Sequence, residues 1–154
     1  PEFKLYQEQV MKNATALGES LASSGFDLVS GGTDNHLLLV DLRSKGVNGS
    51  KAEWVCEQTS LVLNKNTVPG DKSAMNPSGL RIGTPAMTTR GLKEEDFVQV
   101  GKFMGEAVDI AKEVQQQSGP KLVDFKKALA DNGKLADLRS RVEDLACRFP
   151  TVGF

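Results

Sequence analysis

The order of apolar patterns along these 154 residues predicts an α/β protein, a two-layer sandwich in which a small, mostly antiparallel sheet is covered by helices. Three observations lead there. A helical stripe opens the chain, short apolar runs bounded by glycine and asparagine follow, and beyond Pro85 the apolar residues recur at helical spacing. Length and a hydrophobic content of 39% fit one domain, residues 1–154, with a sizeable core.

Tyr6, Val10, Ala14, Leu17 and Leu21 recur every three or four residues, and Gly25 stands where a helix C-terminal cap belongs. Next come "FDLVSGG" and "NHLLLVDL", two runs separated by the turn-forming "SGGTD", which predict an antiparallel pair. "VNGSKAEWVCEQTS" predicts a short helix, with Asn48 or Ser50 as N-cap and Ala52, Val55 and Cys56 on one face. A strand near Leu61 to Leu63 and another at "GLRIG" extend the sheet. Between them lies "NKNTVPGDKSAMNPS", a loop rich in turn formers and long enough to have a task. Phe97, Val100, Met104, Ala107, Val108 and Ala111 then form one stripe of a long helix, whose start is favoured by Glu94, Glu95 and Asp96. "QQQSGP" breaks it. Leu122, Phe125 and Leu129 give a short helix, and Leu135, Leu138, Val142 and Leu145 outline the last.

Charge and composition exclude several function classes. With 19 basic against 20 acidic residues, no broad field invites nucleic acid or an anionic membrane. No apolar run approaches the roughly 18 residues that span a bilayer. Cys56 and Cys147 lack paired spacing and read as free, packed thiols of a reduced compartment. One histidine and two cysteines cannot build a zinc site of the usual spacing, so no metal is expected. His36 alternates onto the face of Leu38, Val40 and Leu42, which predicts a hydrogen-bonded residue at the core's edge rather than a general base. "SGGTDNH" lacks the spacing of a phosphate-binding loop. Lys65 has nothing nearby to desolvate it and reads as a solvated loop lysine. The chain opens at Pro1 directly on a helical pattern, as expected of a piece processed or cut from something longer.

"GLRIGTP" holds the most specific local signal. Alternation sends Leu80 and Ile82 to one face and Gly79, Arg81 and Gly83 to the other, so Arg81 stands between two positions without side chains. Two readings follow. Either a planar anion approaches and takes two parallel hydrogen bonds, or Arg81 pairs with an internal carboxylate and the glycines serve close backbone packing.

"PEFKLYQEQVMKNA", "LVSGGTDNHLLLVDLRSKGVNG", "NKNTVPGDKSAMNPSGLRIGTPAMTTRG" and the terminal "FPTVGF" together closely resemble the C-terminal domain of the serine hydroxymethyltransferases. The resemblance runs almost without gaps from Phe3 to about Phe97 and more loosely to the end. It implies the C-terminal α/β sandwich of a fold-type I enzyme that uses pyridoxal 5'-phosphate to interconvert serine and glycine, with tetrahydrofolate carrying the one-carbon unit. By that resemblance Arg81 binds the amino-acid carboxylate and Asn66, the second asparagine of "NKN", contacts the folate ring. The family's cofactor lysine lies in a "T-T-T-H-K" segment that this chain lacks, and "TTRG" at residues 88–91 is not it. No catalytic or cofactor-binding residue is therefore expected here, and the chain alone is expected to be inactive. The implied partners are the family's own large domain and further copies of the full-length protein, with neither nucleic acid nor membrane. The implied setting is intracellular: cytoplasm first, with mitochondrion or plastid as alternatives. The competing reading is a non-catalytic, stand-alone binding or assembly module that uses Arg81 for another anion.

Overall fold

The computed structural model describes residues 1–152; Gly153 and Phe154, the end of the "FPTVGF" motif, lie outside them. Helix α1 (Glu2–Ser23) leads into strands β1 (Asp27–Leu28) and β2 (Leu37–Asp41), then helix α2 (Gly49–Gln58). Strands β3 (Asn64–Asn66) and β4 (Gly79–Gly83) follow, and the chain ends in helices α3 (Pro85–Thr89), α4 (Glu94–Ser118), α5 (Leu122–Leu129) and α6 (Gly133–Ala146). The four strands form one antiparallel sheet in the order β1-β2-β4-β3. The predicted α/β class, a small sheet covered by helices, is what the protein adopts.

Register decides which face is covered. Leu38 stands opposite Ile82 and Val40 opposite Leu80, all four buried against the helices, whereas Leu39 and Arg81 pair on the other side. Helix α4 forms the middle of the helical layer, burying Phe97, Phe103, Met104, Val108 and Ala111 against α1, α2, α5 and α6. It crosses α1 so closely that a Cβ on Gly101 would stand 2.4 Å from Ser20 Oγ, which itself donates to the Val98 carbonyl at 2.8 Å.

Three boundaries differ from expectation, each for a local reason. The third strand lies at residues 64–66 instead of 61–63 because the earlier apolar residues finish α2. Ser60 adopts φ +62°, the Leu61 N–H donates to the Cys56 carbonyl at 2.8 Å and Leu61 packs into the core. That is the left-handed helix ending also seen at Gly25, where the Phe26 N–H reaches the Leu21 carbonyl. Helix α4 continues through "QQQS" and stops only at Gly119, φ +78°. Strand β1 has just two residues, because a 3-10 turn at Val29–Gly31 takes over.

The thiols also differ from one another. Cys56 is fully buried, and burial, with the nearby Glu53 charge, pushes its pKa up to about 12. Cys147 is exposed at the end of α6, contrary to the expectation of two packed thiols, because the apolar stripe of that helix has already ended at Leu145. A disulfide reagent at neutral pH is expected to modify one thiol in the native chain and two in denaturant, since only a thiolate attacks. Two equivalents reacting at one rate in the folded state would contradict the burial of Cys56.

Candidate functional site

Strand β4 presents Gly79, Arg81 and Gly83 on the face that the helices leave uncovered. Asn64 of β3 stands opposite Arg81, and Asn66 stands opposite Gly79. Arg81 and Asn66 are therefore diagonal neighbours on one sheet face, a relation that places residues roughly 7–8 Å apart, within reach of one small ligand. Sequence reasoning singled out both and missed Asn64. Once β3 is in register, "NKN" supplies two carboxamides beside the guanidinium.

Arg81 is exposed, and among the described residues no ion pair engages it. Its two glycines are unlike each other. Gly79 is buried: a Cβ there would lie 2.4 Å from Val68 Cγ1 and 2.7 Å from the Val40 carbonyl oxygen. At Gly83 the nearest atoms would be 3.6 Å away or farther. Room for a small group thus exists on one side of Arg81 only, and on the other the glycine serves close packing.

Asn66 is half-buried, its Nδ2 donating to the Thr67 carbonyl at 2.8 Å. The amide oxygen and the second N–H give it one acceptor and one donor for a ligand edge. The loop after it is tied from below. Asp71 Oδ2 accepts the Val68 N–H at 3.0 Å and the Ser78 N–H at 2.8 Å, and Ser78 first, then Val68 and the Arg43 charge, hold this carboxyl below its usual value. Arg43 grips Asp41 and donates to the Pro69 carbonyl at 3.2 Å. The loop so anchored lays Val68 over Gly79 and leaves Met75 exposed.

Lys65 is exposed, as expected of a solvated lysine, but it is not in a loop. It belongs to β3, on the face opposite the two asparagines, and its Nζ donates to Glu53 Oε2 at 2.6 Å while its N–H donates to Glu53 Oε1 at 2.9 Å. Helix α2 thereby occupies an edge-strand donor that would otherwise be open. Burial alone would raise the Glu53 pKa, but the two Lys65 hydrogen bonds and the Lys65 and Lys126 charges outweigh it and hold it below 4.5. A lowered carboxyl pKa contributes stability that is complete above the unfolded-state value and is lost as pH falls through the folded one. As pH falls through the lowered Glu53 pKa the Lys65 amide is expected to exchange with solvent faster than the β4 amides, and Glu53→Ala, which removes the acceptor, is expected to show that speed already at pH 7. Equal protection in the variant would break this assignment.

His36 precedes β2 instead of belonging to it. Its side chain is exposed and its carbonyl accepts the Thr84 N–H at 3.0 Å, so the predicted place at the core's edge is not observed. Lys51, which sequence reasoning passed over, is buried. Its Nζ donates to Gln115 Oε1 at 2.9 Å and to the Gly119 carbonyl at 3.3 Å, closing the C-terminal end of α4, and burial lowers its pKa. Among the described residues no cluster of three metal-ligating side chains occurs. No described helix is long and apolar enough to cross a membrane.

The Arg81 face is a wall and not a pocket. Among the described residues, a cavity of about 360 Å³ between β4 and helices α3, α4 and α6 is lined by apolar side chains such as Leu63, Met87 and Phe103 and includes neither Arg81 nor Asn66.

The family model for serine hydroxymethyltransferase matches residues 1–104. A serine hydroxymethyltransferase of Bombyx mori is 52% identical over 99% of this chain and 34% of its own length. The cytosolic enzyme of Oryctolagus cuniculus is 50% identical, again over 99% of this chain and over 33% of its own length. Serine hydroxymethyltransferase 3, chloroplastic, of Arabidopsis thaliana is also 50% identical over 99% of this chain and covers 30% of its own length. The chain spans about a third of the length of these relatives, and it belongs to the serine hydroxymethyltransferase family.

Proposed function

We propose that the longer protein to which this chain corresponds interconverts serine and glycine with tetrahydrofolate as one-carbon carrier, and that this chain supplies one wall of its site. Arg81 clamps the amino-acid carboxylate, and Asn66 offers its amide to the folate ring. The observation that carries this is an exposed guanidinium, unpaired among the described residues, on a hydrogen-bonded strand, with Asn66 beside it on the same face. A planar fork held in that way matches a carboxylate bidentately.

The residues present do not fit pyridoxal 5'-phosphate as its holder. That cofactor supplies an electron sink and needs a lysine amine placed against it. Lys65 Nζ is tied to Glu53 and Lys51 Nζ to Gln115 and Gly119, and neither lysine stands on the Arg81 face. The cofactor's anchor and the groups that move protons belong, on this reading, to the remainder of the longer protein, which would close over the wall. The expected setting is intracellular.

Calorimetric titration of the full-length protein with glycine and with a reduced folate tests the reading. Both should bind. Arg81→Lys should weaken glycine and leave folate near its original affinity, and Asn66→Ala should do the reverse. Unchanged affinity for both ligands in both variants would remove the proposed wall.

A further inference from the structure

Thr84 directly follows the Arg81 strand and is fully buried, a polar side chain in a place where hydroxyl groups must find partners. Its Oγ1 donates to the Val10 carbonyl of α1 at 2.9 Å, and its N–H extends the β2–β4 ladder by one bond to His36. One turn on, Thr88 Oγ1 donates to the Thr84 carbonyl at 2.8 Å and accepts from Asn13 Nδ2 at 2.8 Å. Asn13 is also fully buried. It donates to the Leu92 carbonyl at 2.9 Å and accepts from Gln9 Nε2 at 2.9 Å. The side chains of α1 and of the segment after β4 thus form one continuous, satisfied set of hydrogen bonds. In so dry a place the loss of one member leaves another unpaired.

This cluster pins one end of β4, and Gly79 beneath Val68 pins the other. Between the pins lies "GLRIG", whose outer face has no side chain on either side of Arg81 along the strand. What fixes Arg81 in space is therefore the ladder and the two strand ends.

We propose that Thr84 is a positioning residue for the amino-acid site: its bond to α1 holds the C-terminal half of β4 so that the Arg81 fork meets the substrate carboxylate squarely. The proposal rests on the reading of Arg81 as the carboxylate clamp. A bidentate contact needs its partners within about 0.5 Å and 10–20° of the productive geometry, so a small shift of the strand is felt at the guanidinium.

The test is a calorimetric glycine titration of the full-length protein carrying Thr84→Val, Thr84→Ser, Arg81→Lys or Arg81→Lys with Thr84→Val, with the melting temperature recorded alongside. Thr84→Val keeps the shape and removes the bond, and glycine affinity is expected to fall about fivefold to tenfold, the worth of roughly one net hydrogen bond. Thr84→Ser should restore it to within about twofold, because the hydroxyl is kept. The double variant should bind no more weakly than Arg81→Lys alone, since Thr84 acts only through that fork. A lower melting temperature with unchanged glycine affinity would make Thr84 merely structural and overturn the proposal, as would full additivity in the double variant. If Arg81→Lys itself leaves glycine affinity unchanged, the clamp reading fails first, and the two failures are told apart. Should Thr84→Val not fold, the smaller Thr84→Ala replaces it under the same expectations.

Discussion

Replacing Arg81 with lysine in the full-length protein is expected to weaken glycine and serine binding about tenfold to a hundredfold. The charge survives, but the planar fork does not, and two parallel hydrogen bonds become at most one well-directed contact. A charge-assisted hydrogen bond lost in a partly dry site costs roughly 1.5–3 kcal/mol, and each 1.4 kcal/mol is about a factor of ten in affinity. Alanine should cost more, because the carboxylate then keeps no cation at all. Stability should hardly change in either variant. Arg81 is exposed, and no ion pair among the described residues depends on it. That combination separates a ligand clamp from a structural arginine. A variant that melts early yet binds glycine normally would mean that Arg81 holds the fold and not the substrate.

Much of this arrangement is legible in the amino-acid sequence. The apolar spacing of Val10, Leu17 and Leu21 and of Phe97, Met104 and Ala111 identifies α1 and α4, since a helix that buries one stripe has little freedom in where its apolar residues fall. Alternation in "GLRIG" likewise puts Leu80 and Ile82 inside and Arg81 outside. What escaped was whatever depends on partners far away in sequence. Leu61 and Leu63 look like a strand locally, but the α2 ending claims Leu61, and pairing with β4 selects "NKN". The Lys65 ion pair is not legible locally because its partner, Glu53, lies twelve residues earlier on α2. His36 looked like a strand residue because alternation carries no sign of where a ladder begins. Nothing in the local sequence marks Asn13 or Thr84, whose pairing spans more than seventy residues.

The two glycines of "GLRIG" give the sharpest contrast between what alternation says and what packing says. Gly79→Ala is expected to destabilise the protein by about 3 kcal/mol, at the upper end of the usual cost of overpacking. The new Cβ would meet Val68 Cγ1 at 2.4 Å, the Val40 carbonyl oxygen at 2.7 Å and the Asn66 carbonyl oxygen at 3.0 Å. Val68 could turn aside only against the stiffness of a β-branched side chain, and the two carbonyls belong to the neighbouring strands. The Gly79 carbonyl oxygen also faces Gly49, where an added Cβ would stand only 2.5 Å away, so α2 approaches this end of β4 closely. For a domain of this size about 3 kcal/mol lowers the melting temperature by roughly 10 °C. Gly83→Ala meets nothing closer than 3.6 Å and has no left-handed backbone to strain. It should be neutral or add about 0.5 kcal/mol, by stiffening the unfolded chain. The functional consequences should diverge in the same sense. Moving β4 away from β3 shifts Asn66 relative to Arg81, so Gly79→Ala should weaken folate and amino acid together, while Gly83→Ala, whose methyl enters the one roomy side of Arg81, should weaken the amino acid alone. Equal melting temperatures for the two alanine variants would mean that the covered end of β4 is looser than its contacts require, and Val68 would then be free to leave the face it shares with Arg81.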